Sequence, residues 1–219
     1  MIMNEQFWIP VKLSLEIASV AVVIVLALGI IAAFLMTRST VRGKILIESI
    51  LLLPLILPPT VVGFLLITIF GNQGPIGKLI EKLFDTSIMF TWWAALIAAS
   101  IVAFPLLYQS AKTGFQSVDT DIENAARIDG AGTWKVFLFI TIPLSFKSII
   151  SGVILAFARA LGEFGATFMF AGNLPGKTQT IPIAVYVALE SGNMNLAWGL
   201  VISMIIISLI MLLLTTIIR

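Results

Sequence analysis

The sequence predicts an all-α membrane protein, and three observations carry that prediction. Of its 219 residues, 59% are hydrophobic and 11% are charged, whereas a soluble domain carries about 25% charged residues. The mean hydropathy is +1.11. Apolar stretches that reach the ~20 residues a membrane helix needs recur from one end of the chain to the other. No polar block separates them, so residues 1–219 are expected to form a single transmembrane domain.

Five stretches qualify as spans. The first, Ile17–Met36, holds no charge. No Lys or Arg precedes it in Met1–Pro10 and no small-x-small cleavage site follows, so it is expected to be retained rather than removed as a signal. The second, Ser49–Phe70, contains Pro54, Pro58, Pro59 and then Gly63. Proline frees carbonyls that neighbouring helices or water must satisfy, which fits either an ordinary kink or a place on a transport path. The third is Ser87–Ala111. The fourth, Ser148–Gly172, is interrupted by Arg159 and Glu163, one turn apart on one helix face. Each would cost about 2.5–3.5 kcal/mol facing lipid. They are expected to face protein or water, as an intrahelical ion pair, a path lining or a subunit interface. The fifth is Leu196–Ile218. Ile181–Leu189 is too short to span and stops at Glu190-Ser191-Gly192-Asn193, which predicts a short or re-entrant helix.

Charge asymmetry orients these spans. Arg38, Arg42, Lys44, Lys112, Arg127, Lys135, Lys147 and Arg219 fall on one side, against Lys12, Lys78, Lys82 and Lys177 on the other. The richer side is expected in the cytoplasm, with the N-terminus outside and the C-terminus inside. The chain has no cysteine and no histidine. That excludes the usual zinc sites, thiol chemistry and imidazole proton relays. A net charge of +2 gives no argument for nucleic acid.

The longest polar connection, Gln116–Pro143, lies between the third and fourth spans. Thr120 and Glu123 have capping-box spacing, with acidic residues in the first turn. Gly130 is a natural stop, so a helix of two to three turns is predicted. Ile122, Ala125 and Ala126 share one face of it. The small alanines suit a shallow apolar groove on a partner, although a helix lying at the membrane interface would read the same way. A second apolar run, Trp134–Ile142, ends at Pro143.

The pattern Ala125-Ala126-Arg127-Ile128-Asp129-Gly130-Ala131, followed by Ile140-Thr141-Ile142-Pro143, resembles the cytoplasmic EAA loop of ABC-importer permeases. The resemblance implies a type I ABC importer permease fold (MetI-like), with five transmembrane helices and a cytoplasmic coupling helix. In that family the coupling helix docks into a cleft on a separate ATPase subunit. The residues it implicates here are Glu123, Ala125, Ala126, Arg127, Gly130 and Ala131. One departure stands out: the glutamate usual three places before the arginine is Asn124, with Glu123 one place earlier.

Further stretches resemble the molybdate branch of these permeases. They are Pro58-Pro59-Thr60-Val61-Val62-Gly63, Phe70 to Gly77, Phe104-Pro105-Leu106 and Gly114 to Asp119. Ala158-Arg159-Ala160-Leu161-Gly162-Glu163-Phe164-Gly165-Ala166-Thr167, continuing to Asn173, marks the oxyanion importers for molybdate, tungstate and sulfate. The short length and five spans favour molybdate, because the sulfate permeases of this family tend to be longer. By this resemblance Pro58, Pro59, Arg159, Glu163, Gly165 and Asn173 belong to the translocation path or an interface. It also implies a prokaryotic cell-membrane location and three partners: an ABC ATPase dimer, a second copy of the chain, and an external oxyanion-binding protein. Lipid surrounds the chain, nucleic acid has no place, and the chain binds no cofactor, ATP and Mg being used by the partner ATPase.

Ala171-Gly172-Asn173-Leu174-Pro175-Gly176-Lys177-Thr178 matches a relaxed phosphate-loop pattern. A working loop needs a preceding strand and a helix starting at the lysine, and an apolar helix precedes this one. The chain is therefore expected to be a transport subunit without its own ATPase site. A stand-alone channel or secondary transporter is the rival, but repeated halves are not evident. A membrane enzyme is poorly served without His or Cys.

Overall fold

In the computed structural model, residues 2–39 and 42–218 are described, with side chains from 5 to 39 and 42 to 216. Arg219, counted above with the cytoplasmic charges, lies outside them. No strand occurs among the described residues. The first helix, α1 (Ile2–Arg38), is 37 residues long and begins far before the apolar stretch predicted for it. It runs through the buried Pro10, and it takes in Lys12 and Glu16 because both are exposed on one flank, four residues apart.

The second predicted span is two helices. α2 (Lys44–Ile56) and α3 (Pro59–Phe70) meet at a bend of 116°. The cause is local. A residue before proline avoids helical geometry, and Leu57 is extended at φ −67°, ψ 142°. Pro58 follows at φ −54°, ψ 139°, and Pro59 starts the new helix at a position where a missing N–H costs nothing. Pro54, by contrast, stays inside α2.

Then comes α4 (Pro75–Phe84), a helix that the sequence reading left unassigned. Its Ile76, Leu79 and Leu83 are exposed on one face, with Lys78, Glu81 and Lys82 opposite. α5 (Trp92–Gln116) starts later and ends later than predicted, capped by Thr91, whose Oγ1 accepts from the Ala94 N–H at 3.3 Å. It is the central helix of the molecule. Its Ala94, Ala95, Ala98, Ala99, Val102 and Ala103 are buried in one core with Ala18, Ala21, Val22 and Val25 of α1. Small side chains let apolar helices approach closely where lipid supplies no hydrophobic drive.

The loop folds as α6 (Thr120–Ile128), α7 (Thr133–Val136), a π-helical turn at Phe137–Thr141, and α8 (Ile142–Leu144). The apolar run thus passes through Pro143 instead of ending there. At Ser145 the chain turns by 71° into α9 (Phe146–Leu161).

The fourth predicted span is also broken. α9 stops at Leu161, and a short α10 (Gly165–Ala171) follows after Gly162–Phe164. Arg159 and Glu163 are therefore not on one continuous helix; Glu163 lies in the break. α11 (Ile181–Glu190) is the short helix expected, tied to α1 by the Ile181 N–H, which donates to Ser14 Oγ at 2.7 Å. α12 (Met194–Ile218) completes the chain and is mostly exposed. Among the described residues, three helices (α1, α5 and α12) are long and apolar enough to cross a membrane, or up to five spans if each bent pair counts as one.

Candidate functional site

Two clusters bring sequence-selected residues together. The first is built on α6. Its N-cap is Asp119, not Thr120: the Asp119 carboxylate accepts from the Asp121 N–H at 2.9 Å. The predicted capping box does not form because Glu123 is turned the other way, into the protein. Glu123 is 6% exposed. Both its oxygens lie 2.7 Å from Nη2 of Arg38 at the end of α1. Arg127 Nη2 donates to Oε2 at 3.0 Å and Thr141 Oγ1 donates to Oε1 at 2.7 Å. One carboxylate thus ties α6 to α1 and to the π turn.

Burial alone would raise the Glu123 carboxyl. The hydrogen bonds from Thr141 and Arg38, with the positive charges of Arg38 and Arg127, outweigh it and hold the group below the usual carboxylate range. A cavity of about 290 Å³ lies beside this clamp, lined by Phe34, Arg38, Phe115, Glu123, Phe137 and Thr141 among others.

Glu123 points inward, Arg127 lies exposed beside it with Nη1 donating to Asn124 Oδ1 at 2.7 Å, and other positions of α6 point out. Ile122 and Ala125 are exposed and Ala126 is half-buried. The helix ends in a Schellman pair: the Ala131 N–H donates to the Ala126 carbonyl and the Gly130 N–H to that of Arg127, each at 3.0 Å. Gly130 has φ +89°, the left-handed conformation this motif needs. A second pair, Lys112 Nζ to Glu48 Oε1 at 2.7 Å, joins α5 to α2. Arg38, Lys112 and Arg127 thus each make an ion pair between or within elements that sequence reading had put on one side. The partners Arg38 and Thr141 were not foreseen, since 85 and 18 residues separate them from Glu123.

The second cluster is where the two broken spans meet. Gly165 abuts Pro59 so closely that a Cβ on it would lie 2.8 Å from Pro59 Cβ. A Cβ on Gly63 would lie 2.9 Å from Met169 Cβ and 3.2 Å from Ala166 Cα. Above that contact Glu163, 2% exposed, accepts from the Ala166 N–H at 2.8 Å and from Arg159 Nη1 at 2.8 Å. The carboxylate thus caps α10 while pairing with the last turn of α9. Pro58 and Pro59 are exposed beside it. Asn173 stands apart, exposed in the turn after α10, accepting from Gln179 Nε2 at 2.9 Å. The phosphate-loop look-alike is that same turn: Thr178 N–H and Oγ1 bond back to Leu174 and Gly172 carbonyls at 2.9 and 3.2 Å.

Residues 17–219 match the family described as the binding-protein-dependent transport system inner membrane component. The chain is 55% identical to the putative molybdenum transport system permease protein YvgM of Bacillus subtilis, over 95% of this chain and 92% of that protein. It is 46% identical to the molybdenum transport system permease protein ModB of Escherichia coli K12, over 87% and 83%. Its fold matches a chain of the inward-facing MetNI methionine ABC transporter with a TM-score of 0.72 at 14% identity, covering 97% of this chain and 95% of that one.

Proposed function

The chain belongs to the family of binding-protein-dependent transport system inner membrane components, and from that premise we propose that it is the membrane-spanning permease subunit of an ATP-driven molybdate importer. In this reading residues 1–219 act as one transmembrane domain. The substrate follows from two relatives, each named for molybdenum transport and each alike over most of its length.

The observation that carries the coupling role is the orientation of α6. Its charged side is held against α1 and the π turn by Glu123, and its Ile122–Ala125–Ala126 side is left outward. A small apolar face on a helix anchored at its back is what a separate ATPase needs in order to push the membrane helices. Glu123, Arg127 and Gly130 hold that shape, Ala131 closes its end, and Ala125 and Ala126 make the contact. Energy comes from the partner, an ATPase dimer using ATP and Mg. A second copy of this chain completes the passage, and an external binding protein delivers the oxyanion. α6 faces the cytoplasm of a prokaryotic cell, with the N-terminus outside and the C-terminus inside.

The Pro58–Pro59 break against Gly165, with Arg159 and Glu163, is the candidate for the moving part of the passage. Buried charge at a helix break is costly unless paired, so a membrane protein that keeps it there has a use for a non-helical segment.

The test is uptake of labelled molybdate by cells lacking their own importer, given this chain with its ATPase and binding protein. Uptake should need all three components, and unlabelled tungstate should compete better than sulfate. Sulfate competing as well as molybdate would move the substrate to the sulfate and thiosulfate importers. Oxyanion flux without the ATPase would make the chain a channel or secondary transporter.

A further inference from the structure

Helix α4 is pinned at both ends, so it cannot roll. A Cβ on Gly77 would run into the Gly71 carbonyl, and one on Gly74 into the carbonyls of Thr68 and Ile69. The corner between α3 and α4 is therefore backbone against backbone, and Gly77 is the residue of α4 that it buries. At the other end Ser87 Oγ donates to Asn72 Oδ1 at 2.6 Å. That bond closes the stretch on itself and brings the end of α3 level with the approach to α5.

The side this leaves outward is apolar. Ile76, Leu79, Ile80, Leu83 and Phe84 follow the i, i+3, i+4, i+7, i+8 spacing of one helix side. Leu79, Leu83 and Phe84 are each more than half exposed. Lys78, Glu81 and Lys82 occupy the opposite side. α3 is the helix that α4 packs against, and it leaves the apolar side uncovered.

That side does not stand alone. On α3 Val61, Phe64 and Leu65 are exposed, and in the first turn of α5 Trp93 is 61% exposed. Both helices belong to candidate spans of a membrane component. Tryptophan gathers at the boundary between hydrocarbon and water, so Trp93 marks that boundary at the level where the Asn72–Ser87 bond holds α4. The apolar side of α4 thus continues a surface that lipid covers, and its lysines carry their charge away toward the headgroups. The 25 residues of α5, about 37 Å long, separate this end from α6.

We propose that α4 is an interfacial helix, seated in the leaflet farther from α6 with its Ile76–Leu79–Leu83 side among the acyl chains, and that it anchors α3 to the bilayer surface. The inference rests on the membrane location of the chain and not on its substrate. An amphipathic helix of this kind lies in the plane of the interface, where it gains from its apolar side and from its cations. The glycine corner gives the seat a consequence. Backbone contact passes any tilt of α4 to α3, and α3 meets α10 through Gly63 and Gly165. A bilayer that grips α4 therefore steadies one side of the contact between the two broken spans.

The chain has no cysteine, so single cysteines carry a nitroxide spin label without background. Leu79→Cys, Leu83→Cys and Lys82→Cys are each labelled in the assembled transporter in phospholipid nanodiscs. The labels are then relaxed by oxygen, which concentrates in hydrocarbon, and by a nickel chelate confined to water. Labels at 79 and 83 should show an oxygen-to-nickel ratio on the order of tenfold above that at 82, as burial of one helix side in hydrocarbon requires. Nickel reaching 79 and 83 as readily as 82 puts the face in water and overturns the proposal. Shielding of 79 and 83 from both reagents means that protein covers the face, a second copy or the binding protein, and overturns it as well. Leu79→Asp with Leu83→Asp should lower uptake severalfold; uptake at the parent's level overturns the anchoring of α3. A parent assembly that imports no oxyanion overturns the permease reading instead, and the label ratios still decide where α4 sits.

Discussion

Glu123 and Arg38 lie 85 residues apart in sequence and 2.7 Å apart in space, and this pair fastens the loop between α5 and α9 to the first helix. Arg38 is about a third exposed while Glu123 is nearly closed off. Removing the carboxylate therefore harms more than removing the arginine. Glu123→Ala should destabilise the loop by about 1–3 kcal/mol, the range for losing a charged hydrogen-bonded partner. Arg38→Ala should cost less, because Arg127 and Thr141 still serve the carboxylate. Thermal unfolding in detergent and ATPase stimulation in the assembled transporter would both read the order; equal effects would count against the clamp.

The same clamp has a pH signature. Its carboxyl is held below the usual range, so its contribution is complete above the unfolded carboxylate pKa of about 4.3 and is lost as pH falls through the lower folded value. Proteolysis within residues 116–143 should stay slow from neutral pH down to that region and accelerate below it. Glu123→Gln should be cut at a rate that lacks this step.

Gly130 and Gly132 make an internal comparison. Neither would meet another atom within 4 Å on gaining a Cβ, but Gly130 has φ +89° and Gly132 has φ −69°. Gly130→Ala should lower loop stability and ATPase docking by about 1 kcal/mol through backbone strain alone, and Gly132→Ala should be silent. Ala126→Trp tests the contact face instead, since bulk there should abolish docking while membrane insertion, followed by yield in the membrane fraction, is unchanged.

At the second cluster, Arg159→Met leaves the Glu163 carboxylate buried with one backbone donor. That should cost about 3–5 kcal/mol, and replacing both partners by apolar residues should recover much of it. Gly165→Val should be as damaging as the single charge loss for a different reason: overlap with Pro59 at 2.8 Å. Thermal unfolding of the three variants in detergent distinguishes the causes, because only the charge loss is rescued by its partner.

What the sequence disclosed followed the range over which each signal acts. Membrane location, α11, α12, the α6 helix and its Gly130 stop rest on neighbours within a few residues, and they were readable. The breaks after α2 and α9 were marked by Pro58-Pro59 and by the Gly162 to Gly165 segment. Hydropathy alone joined the halves, because an apolar run looks the same whether straight or folded back through 116°. The inward turn of Glu123 could not be read at all. Its partners Arg38 and Thr141 lie in other elements, and the local spacing with Thr120 argued for a capping role that Asp119 fills instead.

The 71° corner at Ser145 has a mechanical consequence. An elbow that sharp does not pass a pull straight on. Force arriving along α7 and α8 reaches α9 chiefly sideways, as a torque about its near end. Ser148 and Ser151 sit beside that fulcrum and travel little, whereas Arg159, on the far end of the lever, sweeps furthest. A small push on the loop is thereby magnified at the Arg159 end of α9, while the end nearest the loop stays almost still.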